Sequence, residues 1–276
     1  MTSNSITLNF DAILDVALRS VRRTYAFVAM GTRASNLPGV EDLDLAHVTN
    51  IRLIPPFNDA HIQEIKREFN IWLIANGLRE LNETFNVFLD HVYGVCRLVA
   101  ASEEGKIRSD AAVGVPKSFL RGGVEDKILE LGKKFSLTVP NAGFLISLSG
   151  ARRCMTHRQG IVGEEDINED RQLVVRWIAF QPVLQLADGG EIPIPPVIEE
   201  PINTGPGGKL VLKVVERVSR YGLGQQVRFS GHELIEICHF YLRAAIAVRD
   251  SLVDFTKKKN IPLTDVPVPA EVSEKD

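Results

Sequence analysis

From Asn9 to about Arg33 apolar residues return every third or fourth position. Phe10, Leu14, Ala17, Val21, Tyr25 and Val28 then share one face, which predicts an amphipathic helix. Glycine and proline mark Gly31 to Asn58 as a loop, tacked to the core by the apolar run Ile51 to Ile54. The rhythm resumes at Ile62, Ile65, Phe69 and Trp72, and again at Phe85, Phe88, Val92, Val95 and Val99, with a slip between them near Gly77. Asn58 or Asp59 can cap such a helix. Its span to Ala101 is ~60 Å at about 1.5 Å per residue, so a bend or break is expected near Gly77 or Gly94.

Residues 102–123 are polar and without period. Val124 to Phe135 predicts a short helix with Ile128 and Leu131 inward, and another helix opens at Pro140 and Asn141, where proline suits a first turn. Past Gly163 the pattern changes. An acidic loop (Glu164, Glu165, Asp166, Glu169, Asp170) leads into Leu173 to Leu186, whose valine, isoleucine and aromatic content predicts a strand. Asp188-Gly189-Gly190 is a turn signal, the proline-dense stretch Ile192 to Pro206 is extended or looped, Lys209 to Arg220 alternates as a second strand, and Gln225 to Phe229 suits a third. Ser230-x-x-Glu233 is a capping box opening a last helix through Leu252, and Lys257 to Lys259 suit the negative pole at its end.

The expected architecture is mainly α: a helical bundle with a small β-rich insertion (α+β) at about 172–229, before the last long helix. Residues 1–262 make one domain, 263–276 a disordered tail, and there is no internal repeat.

Composition narrows the functional classes. With 45% hydrophobic and 24% charged residues the chain has the balance of an ordinary globular protein, and a net charge of −3 gives no global basic field for coating nucleic acid. Any polyanion has to be held locally. The start, MTSNSITLNF, lacks the basic and apolar regions of a secretory signal. Asp90, His91 and Arg97 interrupt the most apolar helical stretch, so no membrane span is expected. Three cysteines, Cys96, Cys154 and Cys238, make no disulfide framework, and the expected location is the cytoplasm.

Several candidate chemistries are weak. Cys154-x-x-His157 and Cys238-His239 make a zinc set only if their helices meet, and free cysteines are commonly buried packing residues. Glu236-x-x-His239 has the spacing of a di-iron bundle but lacks the second copy that site needs. Gly205 to Lys209 fails as a phosphate loop, since Asn203 stands where glycine is needed and Leu210 where Ser or Thr is needed. No metal and no cofactor is expected. His47, His61, His91 and His232 read as surface or packing residues.

The densest chemistry lies in Pro140 to Ile161, which ends in Arg152, Arg153, His157 and Arg158. At about 100° per residue, Phe144, Leu148, Ala151 and Met155 share a core face with Leu145 on its flank, while Ile146, Ser149, Gly150, Arg153 and His157 line the opposite side. Small residues there let another helix approach, and a second copy about a twofold axis would bring two histidines and several arginines into one cleft. Cations also suit any helix C-terminus through its dipole, so the pattern alone leaves both readings open.

Ala151-Arg152-Arg153-Cys154-Met155-Thr156-His157, followed by Gly160-Ile161-Val162, resembles the motif of the HEPN superfamily, prokaryotic helical-bundle proteins often found in toxin–antitoxin and phage-defence systems. That motif is an arginine, usually a polar residue after it, and a histidine after four to six positions. Arg152 and His157 match, and Arg153 stands where Asn, Asp or His is commoner. The resemblance covers the layout of about Asn9 to Val162 and leaves the insertion and last helix unexplained. It implies a HEPN-like domain and a metal-independent endoribonuclease, a homodimer with a composite site. Arg152 and His157 are its implied catalytic residues, with Arg153 and Arg158 holding substrate. RNA is the implied substrate, and a cognate antitoxin or defence protein the implied partner. A ribose 2′-hydroxyl attacks the phosphate, so DNA is excluded. The alternative is a non-catalytic HEPN-like dimerisation or nucleotide/RNA-binding module. On an ideal helix Arg152 lies about 140° from His157 and Arg153 only about 40°. Three resolutions stand open: a helix that loosens before His157, two arginines sharing the role, or Arg152 of one chain meeting His157 of another.

Overall fold

A long two-helix crossing carries the molecule, as seen in a computed structural model that describes residues 8–36, 59–103, 106–107, 114–195 and 207–261. Helix α1 is Phe10–Asn36 and α2 is Asp59–Ala100. The apolar run Ile51 to Ile54 expected to tack the loop to the core, the cap at Asn58 and the tail 263–276 lie outside the described residues.

Helix α2 is unbroken for 42 residues, so the expected break is absent. Gly77 serves close packing. A Cβ there would stand 2.7 Å from Leu234 Cδ2 and 3.0 Å from Thr24 Cγ2, and Thr24 Oγ1 donates to the Gly77 carbonyl at 3.4 Å. The glycine is where three helices meet, so its missing side chain is used by its neighbours. Two faces also differ from the predicted wheels. Tyr25 and Trp72 are exposed, and Thr24, Leu73 and Ile74 are buried in their place. A fixed three-four count drifts around a real helix, and over many turns it selects flanking residues.

The stretch 102–123, read as irregular, holds a two-residue ladder of β1 (Ser102–Glu103) with β2 (Lys106–Ile107) and a short helix α3 (Lys117–Arg121). Helix α4 (Val124–Phe135) has the predicted bounds, with Ile128 and Leu131 buried. Lys127 is buried too: its ammonium lies 2.6 Å from Asp90 Oδ1, donates to the Asn86 carbonyl at 3.1 Å and sits 5.5 Å from the Phe119 ring.

Helix α5 (Ala142–His157) enters through Asn141 in the left-handed region. It buries Leu145, Leu148, Ala151 and Cys154, whereas Phe144 and Met155, predicted inward, are half-buried. Strands β3 (Gln172–Gln185) and β5 (Lys209–Gly222) form a 14-residue antiparallel ladder, with β4 (Glu191–Pro193) on the other side of β3. The third strand thus overlaps the start of the proline-dense stretch. Gln225 to Phe229 bonds instead to the turn after α5, Val162 N to Gln225 O at 2.9 Å and Val227 N to Gly160 O at 2.8 Å. Those bonds fasten the end of α5 to the segment leading into α6.

Helix α6 (Gly231–Lys258) opens with the predicted capping box: Ser230 Oγ accepts from Glu233 N at 3.1 Å and Glu233 Oε2 from Ser230 N at 2.7 Å. It contributes Leu234, Ile237, Cys238, Tyr241, Ala245, Val248 and Leu252 to a core shared with α2, α5 and β3. Buried Glu236 of α6 accepts from Trp177 Nε1 of β3 at 2.9 Å and from Arg217 of β5 at 3.1 Å, so the sheet is clasped to the bundle. The molecule is mainly helical with a small antiparallel sheet before the last helix. Among the described residues no helix is long and apolar enough to cross a membrane.

Candidate functional site

Ser147 fixes the orientation of α5. Its hydroxyl donates to Phe144 O of its own helix at 2.8 Å and accepts from Arg176 N at 3.0 Å, so α5 covers an edge of β3 that would otherwise be unpaired. With the Leu148 and Ala151 side committed to the core, the other side of α5 faces a cleft of about 320 Å³. Ile146, Ser149, Gly150, Arg153 and His157 line it, the set predicted to face away from the core, and Arg152 lines it as well. The far wall comes from Asn82, Glu83 and Asn86 of α2 and from residues 123–125 at the start of α4.

The helix runs through His157, and Arg158 N donates to Cys154 O at 3.0 Å. The first of the three resolutions, a loosened helix end, therefore does not hold. Arg152 reaches the cleft from its flank and is a half-buried cation. One terminal nitrogen donates to Glu83 Oε1, while Nε is buried with no hydrogen-bond partner. Arg153 and His157 are exposed at the mouth. Arg153 has only a long contact, Nε to Asp166 Oδ1 at 4.0 Å, and no hydrogen bond holds the His157 ring among the described residues.

Arg158, expected to hold substrate, does not line the cleft. Its guanidinium turns into the loop after the helix, where Nε donates to Asp166 Oδ2 at 3.0 Å and its terminal nitrogens contact Asp166 and Glu165. Asp166 is buried and also accepts from Gly163 N at 3.0 Å. The acidic loop thus balances an arginine, and Arg158 fixes the helix end.

The zinc set does not gather. Among the described residues no three His, Cys, Asp or Glu side chains converge as metal ligands. Cys154 Sγ donates to Ile161 O at 3.3 Å. Burial pushes the thiol of Cys154 up to about 11 and those of Cys96 and Cys238 up to about 12, so none is a ready thiolate.

Sequence reading passed over the α2 wall. Its signal was a polar residue on an apolar stripe: Asn82 sits among Leu78, Leu81, Phe85 and Leu89, is buried, and donates to the Tyr241 hydroxyl at 3.2 Å. Burial pushes that phenol well above its ordinary range. Glu83 is next along the chain and half exposed. The cleft therefore carries two arginines, two glutamates (Glu83 and Glu125) and one histidine. It can hold an anion at its mouth and move a proton there, and its interior cation is already paired.

No family model matches the chain, and comparison with curated proteins and with solved structures finds no match to either.

Proposed function

We propose that the protein is a metal-independent endoribonuclease of HEPN type, working as a homodimer whose α5 faces meet across the cleft. The observation that carries this reading is the convergence of Arg152, Arg153 and His157 on one open cleft. The 2′-hydroxyl oxygen of a ribose attacks the adjacent phosphorus and the P–O5′ bond breaks, leaving a cyclic phosphate and a free 5′-hydroxyl. His157 takes the 2′-proton or gives one to the leaving oxygen, and its exposed, unbonded ring is free to reach either. A guanidinium spreads its charge over two phosphate oxygens as negative charge builds. Arg153 is the arginine with room to do so, and Arg152 supports the same oxygens from inside. One imidazole cannot readily serve as acid and base in a single displacement, and a twofold partner supplies the second. Ser149 and Gly150 leave room for that approach. The test is incubation of RNA with the purified protein in EDTA beside His157→Ala, reading fragments with cyclic phosphate ends.

The Arg152–Glu83 pair favours a second reading, a non-catalytic module that binds nucleotide or RNA. It expects His157→Ala to bind RNA like the parent, and Arg153→Ala to bind several-fold more weakly with a shallower salt dependence. Unchanged binding in Arg153→Ala would remove it.

A further inference from the structure

Glu83 contacts a terminal nitrogen of Arg152 inside the cleft, and both side chains line the same space. The two carboxylates in the cleft match its two arginines, so the site is balanced before any ligand arrives. Arg152 is the more enclosed of the two. Its Nε is buried, its side chain is only 23% exposed, and the helix bearing it is fixed to β3 through Ser147. Glu83 has the opposite character. Its side chain is 52% exposed on the surface of α2, and Arg152 is its one bonded partner among the described residues. Of the two, the glutamate is the one able to leave.

We infer that Glu83 is an internal competitor for phosphate: its carboxylate occupies the place on the Arg152 guanidinium that a phosphodiester oxygen takes when ligand enters. Carboxylate and phosphate present the same paired oxygens to an arginine fork, so one replaces the other without moving the cation. The exchange tunes affinity. A diester gains Arg152 only by releasing Glu83. The inference rests on the reading of the cleft as a phosphate site. It differs from a positioning role for Glu83 in the sign of its effect, because a group that merely holds Arg152 in place weakens binding when removed.

The experiment is a double-mutant cycle on equilibrium binding. The probe is a short labelled oligonucleotide whose ribose 2′-hydroxyls are methylated, so that it cannot be cleaved. Glu83→Gln keeps the shape and loses the charge. It should bind about 5-fold more tightly, the scale of one exposed ion pair of about 1 kcal/mol. The gain should vanish when Glu83→Gln is placed on Arg152→Ala, since the competitor acts only through that guanidinium. Glu83→Asp should stay close to the parent. Weaker or unchanged binding in Glu83→Gln overturns the inference, and so does an equal gain without Arg152, which would make Glu83 a general repelling charge. If Arg153→Ala weakens the probe while Glu83→Gln does not tighten it, the competitor falls and the phosphate site stands. If the parent and Glu83→Gln both fail to bind, both fall.

Discussion

Among single residues, Lys127 separates what a pattern records from what a structure uses. On the sequence it is one more polar position of a short amphipathic helix. In the fold it is 1% exposed and joins α4 to α2 through Asp90 and the Asn86 carbonyl. Its methylenes lie in the core and its ammonium answers a carboxylate that is itself only 18% exposed. Lys127→Ala should therefore destabilise by about 2–4 kcal/mol in urea unfolding, from a lost stem and a stranded carboxylate. Lys127→Met, which keeps the stem against Phe119, should lose less. Equal loss in the two would show that packing contributes nothing there. At the same scale Arg158 and Arg153 part company. They are the same residue type on neighbouring turns, yet one is spent on buried Asp166 and the other is left at the cleft mouth. No spacing rule distinguishes them, because the difference is made by a loop that folds back after the helix ends.

At the level of elements, helix existence and type were legible wherever the apolar rhythm ran long, as in α1, α2, α5 and α6, and the capping box placed the start of α6 to the residue. Gly77 was the instructive position. A glycine in a slipping pattern looked like a hinge, and only the third helix shows why it is small. Gly77→Ala should cost about 1–3 kcal/mol, since its Cβ would press on Leu234 at 2.7 Å and outweigh the usual gain of alanine in a helix. Gly143→Ala, with nothing within 4 Å of the new Cβ in α5, should instead leave stability unchanged or raise it by about 0.5 kcal/mol. Thermal melts of the pair check the contrast, and a Gly77→Ala as stable as the parent would contradict the close-packing role of that glycine. The third strand was misplaced for a related reason. Gln225 to Phe229 has strand chemistry, but its hydrogen bonds go to Gly160 and Val162, a long-range choice that local pattern does not contain.

In the whole molecule, the division of α5 into a core face and an open face was readable from its sequence, and the arginines and histidine were readable as candidates. The opposite wall was not. Asn82, Glu83 and Asn86 lie some seventy residues earlier, on a helix whose other positions build the core, and only the crossing of α2 with α5 brings them together. The clasp of Glu236 on Trp177 and Arg217 belongs to the same class: a buried carboxylate in a helix reads as an exposed charge until the sheet is laid on it. The account of function stands on the cleft those elements enclose. Its most direct test is the rate at which purified protein cleaves unstructured RNA and tRNA in EDTA, parent against His157→Ala. The account predicts cleavage by the parent, no cleavage of DNA of the same sequence, and a loss of about 100-fold or more in the variant with its melting temperature unchanged. Equal rates for the two proteins, or no cleavage by either, would contradict it.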